Sequence, residues 1–124
     1  MILLDTSVLV ELFRIKDKQK SFFYRLAESE TAFAISSVTQ YEILVGSKDV
    51  QDKFWEDFFS SILILPFDEK CSVEAANIFK ELKAKNKLIE IADLFVVATA
   101  RVNNLPVATL NRKHFERVKG LQLL

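Results

Sequence analysis

A chain of 124 residues has the size of a single domain, and its 17 basic and 17 acidic side chains leave it with no net charge. Half of its residues are hydrophobic, and it contains only two glycines and two prolines, which excludes long linkers and low-complexity segments. Proteins that coat nucleic acid electrostatically are usually basic, so the zero net charge disfavours that class. It does not disfavour a nuclease that holds phosphate through a bound divalent ion.

The single cysteine, Cys71, excludes an internal disulfide framework and is typical of a reducing compartment. Met1 leads directly into a predicted strand, without the basic segment that begins a signal peptide. The longest apolar run is far shorter than the roughly 18–20 residues that span a bilayer. We therefore expect a cytoplasmic protein that makes no membrane contact and forms one domain over residues 1–124.

Short apolar runs and amphipathic stretches alternate along the chain. Runs of three or four apolar residues suit strands that are buried on both faces, whereas apolar residues three or four positions apart indicate helices. In chain order these patterns predict a strand at 2–4, helices at 8–14 and about 19–29, a strand at 32–35, helices at 37–45 and 50–61, a strand at 62–65, helices at 69–85 and 92–102, a strand at 106–109 and a possible fifth strand at 121–124.

Two of these helices carry additional signals. Ser37 and Gln40 have the spacing of a capping box with Ser37 as the N-cap, and Gly46 is a natural residue just beyond the helix end. Residues 92–102 are apolar on nearly all sides, which is typical of a central, buried helix. The alternation of strands and helices predicts an α/β fold in three layers, in which helices cover both faces of a parallel sheet of four to five strands.

Polar residues follow several of these strands. Asp5 ends the first strand, and Asn111 lies two residues beyond the fourth strand. Glu42 lies in the second turn of the helix that follows the second strand, and Asp93 opens the buried helix. The carboxyl ends of the strands form the ligand crevice of an open α/β sheet, so these four side chains are expected to meet there. The three acids have simpler interpretations when taken alone: Asp5 and Asp93 as helix N-caps, and Glu42 as a surface residue.

A metal site accounts for these acids together. Hard divalent cations such as Mg²⁺ prefer carboxylate and water oxygens, and they usually keep several waters. Gathering like charges is unfavourable without a cation, and Asp93 precedes an apolar stretch where an unpaired carboxylate is costly. The sequence therefore predicts a divalent-metal site that includes Asp5, Glu42 and Asp93.

The motifs around these acids resemble those of the PIN domain, and in particular the VapC-like toxins of type II toxin–antitoxin modules. The resemblance spans essentially the whole chain. It rests on Leu4-Asp5-Thr6-Ser7, on Tyr41-Glu42 with Gly46, on Ile89 four residues before Asp93, on Thr109-Leu110-Asn111 with Phe115, and on the ending Phe115-Glu116-Arg117-Val118 with Gly120-Leu121.

The resemblance implies a PIN-like fold and an endoribonuclease that depends on Mg²⁺ or Mn²⁺, often forms a homodimer and is inhibited by a cognate antitoxin. Asp5, Glu42 and Asp93 match the three core acids of the family. Thr6 and Thr109 match polar positions that support the site. By the same resemblance, the early helices with their aromatic residues form the groove that takes an antitoxin segment.

Two positions depart from the family's pattern. Asn111 stands where many members have Asp, and because an amide offers a carbonyl oxygen without charge, one well-bound ion is expected rather than two. Glu90 stands where the family often has Gly, and we interpret it as a solvent-facing acid. Asn111 is also the reason for an alternative hypothesis, in which the chain is a catalytically weak PIN scaffold that binds RNA or protein.

The basic residues near the predicted site are candidates for phosphate contacts. Arg112 and Lys113 directly follow Asn111 and are predicted to hold RNA phosphates, and Arg14 is a weaker candidate of the same kind. His114, the only histidine, is predicted to be solvated rather than a general base. A signalling receiver domain is disfavoured because no Asp directly follows the third strand, and Asp68 comes too late.

Overall fold

The computed structural model describes all residues, 1–124. The four strands are β1 (Ile2–Leu4), β2 (Phe33–Ser36), β3 (Leu63–Leu65) and β4 (Val107–Ala108). The seven α-helices are α1 (Thr6–Arg14), α2 (Phe22–Ala27), α3 (Ser37–Gly46), α4 (Asp52–Ser60), α5 (Glu69–Ala84), α6 (Ile91–Val102) and α7 (Arg112–Phe115). Two short 3₁₀ helices cover Lys18–Lys20 and Asp49–Gln51.

The strands form one parallel sheet in the order β3-β2-β1-β4. All four therefore end at the same edge, with β1 in the middle of the sheet beside β2 and β4. The predicted α/β fold with a parallel sheet is confirmed. None of the helices has both the length and the apolar character needed to cross a bilayer.

Two hydrophobic cores lie on opposite faces of the sheet, which gives the three predicted layers. Alternate residues of a strand point to opposite faces. In β1, Leu3 therefore packs with α5 and α6, whereas Ile2 and Leu4 pack with α1 and α4. As its apolar sequence predicts, α6 is largely buried, from Leu94 to Ala100 apart from the half-buried Phe95.

The start of α3 differs from the predicted capping box. The N-cap is Ser36, whose hydroxyl accepts a hydrogen bond from the backbone N–H of Val38 at 3.1 Å. Ser37 instead accepts from the N–H of Phe67, 3.0 Å away, and so joins α3 to the segment after β3. Gly46 is the last residue of α3 rather than the residue beyond it, because the chain continues in an extended conformation at Ser47 and needs no left-handed residue.

Several other predicted elements are shorter in the structure. The strand predicted at 106–109 is reduced to β4, and the helix predicted at 50–61 is divided into a 3₁₀ turn and α4. The helix predicted at about 19–29 is divided into a 3₁₀ turn and α2, because Ser21 is buried and its hydroxyl caps α2 by accepting from the N–H of Tyr24. The possible fifth strand is reduced to a single bridge between Leu123 and Val107. The sheet therefore has four strands.

Candidate active site

The four predicted site residues line one cleft at the carboxyl edge of the sheet. Asp5 directly follows β1, Asn111 lies beyond β4, Glu42 projects from α3, and Asp93 lies in the first turn of α6. This acidic cleft has a volume of about 540 Å³ and is lined by Asp5, Thr6, Ser7, Val10, Glu11, Arg14, Glu42, Glu90, Asp93, Leu110, Asn111 and His114. The structure thus brings together residues that are up to 106 positions apart in the sequence, from Asp5 to Asn111.

Asp5 is held by two hydroxyl groups. Asp5 is only 1% exposed. Its Oδ2 accepts hydrogen bonds from Ser7 Oγ at 2.7 Å and from Thr109 Oγ1 at 2.8 Å. Although Asp5 occupies the N-cap position of α1, its side chain makes no capping hydrogen bond. The simple N-cap interpretation of Asp5 is therefore wrong. Both bonds use one oxygen, so Oδ1 is left for another partner.

The hydrogen bond from Thr109 involves a residue that the sequence analysis named, whereas the contribution of Ser7 was not predicted. Besides its bond to Asp5, Ser7 accepts a hydrogen bond from the backbone N–H of Leu110 at 3.0 Å. Thr109 likewise accepts from the N–H of Asn111 at 2.9 Å. These bonds fix the loop after β4 to the start of α1, and the only sequence signal for Ser7 was its place two residues after Asp5.

Glu42 is oriented from α1. Thr6 Oγ1 donates a hydrogen bond to Glu42 Oε1 at 2.8 Å and lies 3.1 Å from Thr39 Oγ1. Thr39 is buried one turn before the glutamate on α3. The carboxylate of Glu42 is therefore fixed towards the cleft, as expected for a site residue and not for a surface residue free in solvent.

Asp93 is the most electrostatically perturbed acid of the cleft. Burial, followed by the negative charges of Asp5, Glu90 and Glu42, raises its pKa from 3.8 to about 6, while His114 acts in the opposite direction. Its side chain is 19% exposed, and its Oδ2 lies 4.0 Å from His114 Nδ1. The charged form of Asp93 is disfavoured because it is partly desolvated among like charges.

The remaining candidates lie at the border of the cleft. Glu90 is exposed, as predicted, yet it lines the cleft and raises the pKa of Asp93. His114 is half-exposed, as predicted, but it also reaches into the cleft. Arg112 and Lys113 do not line the acidic cleft. They line an adjoining groove along α7, here called the basic groove, and the two depressions meet at Asn111 and His114.

The chemistry of the cleft fits a hard divalent cation. Its donors are carboxylate, hydroxyl and amide oxygens, and Asp5, Glu42 and Glu90 form no salt bridge with a basic side chain. No three His, Cys, Asp or Glu side chains are arranged to hold one ion together. The predicted arrangement of Asp5, Glu42 and Asp93 around one ion is therefore not formed in the structure, although the three acids line the same cleft. Mg²⁺ usually takes one or two carboxylates and keeps several waters. The metal itself stays a prediction.

Comparison with known proteins identifies the family. The family model described as PIN domain matches residues 2–121. The chain is 35% identical over 123 residues to Ribonuclease VapC1 of Methanocaldococcus jannaschii, a match that covers 98% of this chain and 84% of that protein. It is 30% identical over 125 residues to the tRNA(fMet)-specific endonuclease VapC of Shigella flexneri, covering 97% and 93% of the two chains.

Solved structures show the same fold. A chain of the DNA-bound VapBC complex from Salmonella typhimurium superposes with a TM-score of 0.85 at 26% identity, covering all of this chain and 98% of that one. A chain of the VapBC2 complex from Rickettsia felis, bound to a promoter DNA fragment, gives a TM-score of 0.82 at 28% identity with the same coverage. With a match over almost its full length and relatives that are VapC ribonucleases, the chain belongs to the PIN domain family.

Proposed function

We propose that the chain is an endoribonuclease that depends on Mg²⁺ or Mn²⁺ and acts as the toxin of a type II toxin–antitoxin pair. The observation that carries this proposal is the convergence of Asp5, Glu42 and Asp93 on one cleft with no lysine or arginine paired to them. Such a cluster is electrostatically unfavourable unless a cation joins it. The names of the VapC relatives support ribonuclease activity.

In this proposal Asp5, Asp93 and Glu42 would hold the ion at the carboxyl edge of the sheet. A bound divalent ion neutralises the phosphodiester and lowers the pKa of a water. The hydroxyls of Ser7 and Thr109 orient Asp5, because both donate hydrogen bonds to its Oδ2. Thr6 does the same for Glu42.

The groups beside the ion have separate tasks. The side-chain carbonyl of Asn111 is available as a neutral ligand, because the amide makes no capping bond at α7. Arg112 and Lys113 lie in the adjoining groove, where they can hold phosphates of the same RNA strand. Asn111 adds no charge, so we propose a single well-held ion.

Two protein partners belong to the same proposal. A second groove, here called the apolar groove, lies between α1, α3 and α4 and is lined by Val10, Phe13, Ile43 and Trp55 among others; an antitoxin segment is proposed to bind there. A second copy of the chain is proposed to cover the exposed apolar residues of α3 and the start of α6, which include Tyr41, Leu44, Val45 and Ile91. We place the protein in the cytoplasm, as expected for an RNA target.

The test is cleavage of RNA by the purified chain with Mg²⁺, with Mn²⁺ and with EDTA. We expect cleavage with either ion, none with EDTA, and a loss of at least about 100-fold in Asp5→Asn and Asp93→Asn, since even the loss of an outer partner of a metal ligand typically costs 10–100-fold. Asp49→Asn is the matched control, because Asp49 is exposed and makes no side-chain hydrogen bond or salt bridge. Equal cleavage by Asp5→Asn and the wild type would contradict the proposal.

The alternative of a scaffold that binds RNA or protein without cutting is favoured by the uncharged Asn111 alone. Calorimetric titration with Mn²⁺ distinguishes the two. The nuclease requires Mn²⁺ binding that is lost in Asp5→Asn and Asp93→Asn but kept in Asp49→Asn. No Mn²⁺ binding, or binding indifferent to both substitutions, would favour the scaffold.

A further inference from the structure

Three depressions join into one continuous path across the carboxyl edge of the sheet. The apolar groove and the acidic cleft share Thr6, Val10, Arg14 and Glu42 as a common border. On the other side, the acidic cleft and the basic groove share Leu110, Asn111 and His114. A ligand that lies over the acids can therefore continue in both directions, towards α7 or towards the end of α1.

Arg14 is the only lysine or arginine that lines the acidic cleft. It is exposed, and it forms no hydrogen bond and no salt bridge. Thr6, Val10 and Arg14 are spaced four residues apart, so they share one face of α1. The same helix face thus carries the residue that orients Glu42 at one end and an unpaired guanidinium at the other.

The charges of the cleft make such a cation necessary for an RNA ligand. Five acids line the cleft: Asp5, Glu11, Glu42, Glu90 and Asp93. A single bound ion offsets only part of this negative charge, so a phosphate chain that enters towards α1 meets net repulsion unless a basic group receives it. On the α7 side, Arg112 and Lys113 line the groove that the chain would follow. On the α1 side, Arg14 alone offers a positive charge.

We infer that Arg14 binds the backbone phosphate that flanks the scissile bond on the α1 side, while Arg112 and Lys113 receive the strand on the α7 side. This inference rests on the proposed nuclease function. Arg14 lies about 12 Å along the helix axis from Thr6, at about 1.5 Å per residue, so it reaches a neighbouring phosphate rather than the one at the ion. Its planar guanidinium suits bidentate contact with phosphate oxygens.

The ligand is a single strand. Asp5 is almost fully buried and Asp93 is 19% exposed, so the reacting phosphate has to enter the cleft to reach them. A strand with its bases unpaired can bend into the cleft, whereas the paired backbone of a duplex is held on the outside of the helix. A duplex of the same sequence therefore serves as a comparison ligand.

The first experiment measures RNA binding independently of cleavage. Fluorescence anisotropy of a labelled single-stranded RNA oligonucleotide is recorded in EDTA, where no cleavage is expected, over a series of salt concentrations. Arg14→Gln is expected to weaken binding by roughly tenfold and to reduce the slope of log K against log salt by about 0.7, the value for one lost phosphate contact on a single strand. Arg14→Lys should keep the slope. The duplex should bind less tightly than the single strand.

The matched control is Lys80→Gln, which also removes one exposed positive charge but lies on α5, outside all three depressions. It is expected to keep affinity and slope. In the otherwise wild-type chain, Arg14→Gln is expected to raise KM by roughly tenfold with little change in kcat, because a flanking phosphate is held equally in the ground state and the transition state.

The outcomes separate this inference from the proposed function. If the wild type cleaves RNA but Arg14→Gln matches Lys80→Gln in affinity, slope and KM, the role of Arg14 is overturned and the nuclease stands; a cation that served only a protein segment in the apolar groove would give that result. If the wild type does not cleave RNA but Arg14→Gln still loses affinity and slope, the nuclease is overturned and the RNA contact stands.

Discussion

The acidic side chains at the two edges of the sheet differ in their partners and in the direction of their pKa shifts. At the amino edge, Glu30 is 3.7 Å from the N-terminal ammonium group, and Glu74 is 3.4 Å from Nε of Arg101. Hydrogen bonding from the N–H of Ala32 lowers the pKa of Glu30. At the carboxyl edge, Asp5, Glu42 and Glu90 have no basic partner, and burial among these charges raises the pKa of Asp93 to about 6.

This difference separates acids that stabilise the fold from acids that cost it stability. An acid with a lowered pKa favours the folded state when ionised, and an acid with a raised pKa disfavours it. The carboxyl edge is therefore held in an unfavourable electrostatic state that a bound cation would relieve. Neutralising an acid without metal should therefore stabilise the protein at Asp93 and destabilise it at Glu30, and only substitutions at the carboxyl edge should abolish stabilisation by added metal. The following predictions test that contrast.

The largest expected effect on stability is that of the cation. Mn²⁺ at a hundred times its Kd should raise the free energy of unfolding of the wild type by about 2.7 kcal/mol, because it binds only the folded state. Thermal unfolding with and without Mn²⁺ measures this. Asp5→Asn and Asp93→Asn should lose the effect, and Glu74→Gln at the amino edge should keep it. Equal stabilisation of Asp5→Asn and the wild type by Mn²⁺ would show that the ion does not bind at the acids of the carboxyl edge.

The next effect is that of Asp93 without metal. Its folded-state pKa of about 6 exceeds the ordinary 3.8, so the folded state binds more protons between these values. The resulting penalty is absent below the ordinary pKa and complete above the raised one, and stability therefore falls as the pH rises through this window. At about 1.4 kcal/mol per unit, Asp93→Asn should stabilise the metal-free protein by roughly 1–3 kcal/mol near neutral pH.

Urea unfolding in EDTA, at neutral pH and near pH 4, measures the effect of Asp93→Asn. The gain should be present at neutral pH and absent in acid. Asp49→Asn is the control and should change stability little at either pH. Destabilisation by Asp93→Asn at neutral pH would contradict the electrostatic account of this edge.

A smaller effect is expected for Thr6→Val, which keeps the shape of the side chain but removes its hydrogen bond to Glu42. We expect a loss of about 1 kcal/mol in the free energy of unfolding. Cleavage should fall by about 10-fold or more, because Glu42 is no longer oriented. Thr31→Val is the control at the amino edge, since the Thr31 side chain is exposed and makes no hydrogen bond. Unchanged cleavage by Thr6→Val would show that the hydrogen bond from Thr6 is not needed to orient Glu42.

The sequence predicts most of the fold because the strands and helices have local patterns of apolar residues. The apolar run Ile2–Leu4 and the helix α6, which is apolar on nearly all sides, are both predictable from the local order of apolar residues. The N-cap of α3 was misplaced by one residue because Ser36 and Ser37 are both hydroxyl residues at the right place. Only the tertiary contact between Ser37 and Phe67 decides between them.

The placement of the candidate site residues also follows in large part from the order of strands and helices. The convergence of Asp5, Glu42 and Asp93 on one cleft is predictable because Asp5 follows a strand and the other two lie in the first two turns of their helices. The supporting bond from Ser7 and the cleft position of Glu90 depend on how the loop after β4 and the segment before α6 fold back. Such contacts leave no local pattern, and Glu90 is one of the charges that raise the pKa of Asp93.

The smallest expected effect concerns Glu30 at the amino edge. Its carboxylate accepts hydrogen bonds from the N–H groups of Thr31 and Ala32 and lies beside the N-terminal ammonium group, so its charged form is favoured in the folded state. Glu30→Gln should therefore slightly destabilise the protein at neutral pH, the opposite of Asp93→Asn.

The effect of Glu30→Gln on stability should depend on pH, and its sign should be opposite to that of Asp93→Asn. Because the folded-state pKa of Glu30 is lowered, its stabilising contribution is present above the ordinary carboxyl pKa of 4.5 and is lost as the pH falls through the lowered value. The difference between wild type and variant, measured by urea unfolding, should thus shrink in acid, whereas the gain from Asp93→Asn appears only above acid pH. Stabilisation by Glu30→Gln at neutral pH would mean that the two edges do not differ, and that the unpaired acids of the cleft are no special feature of its chemistry.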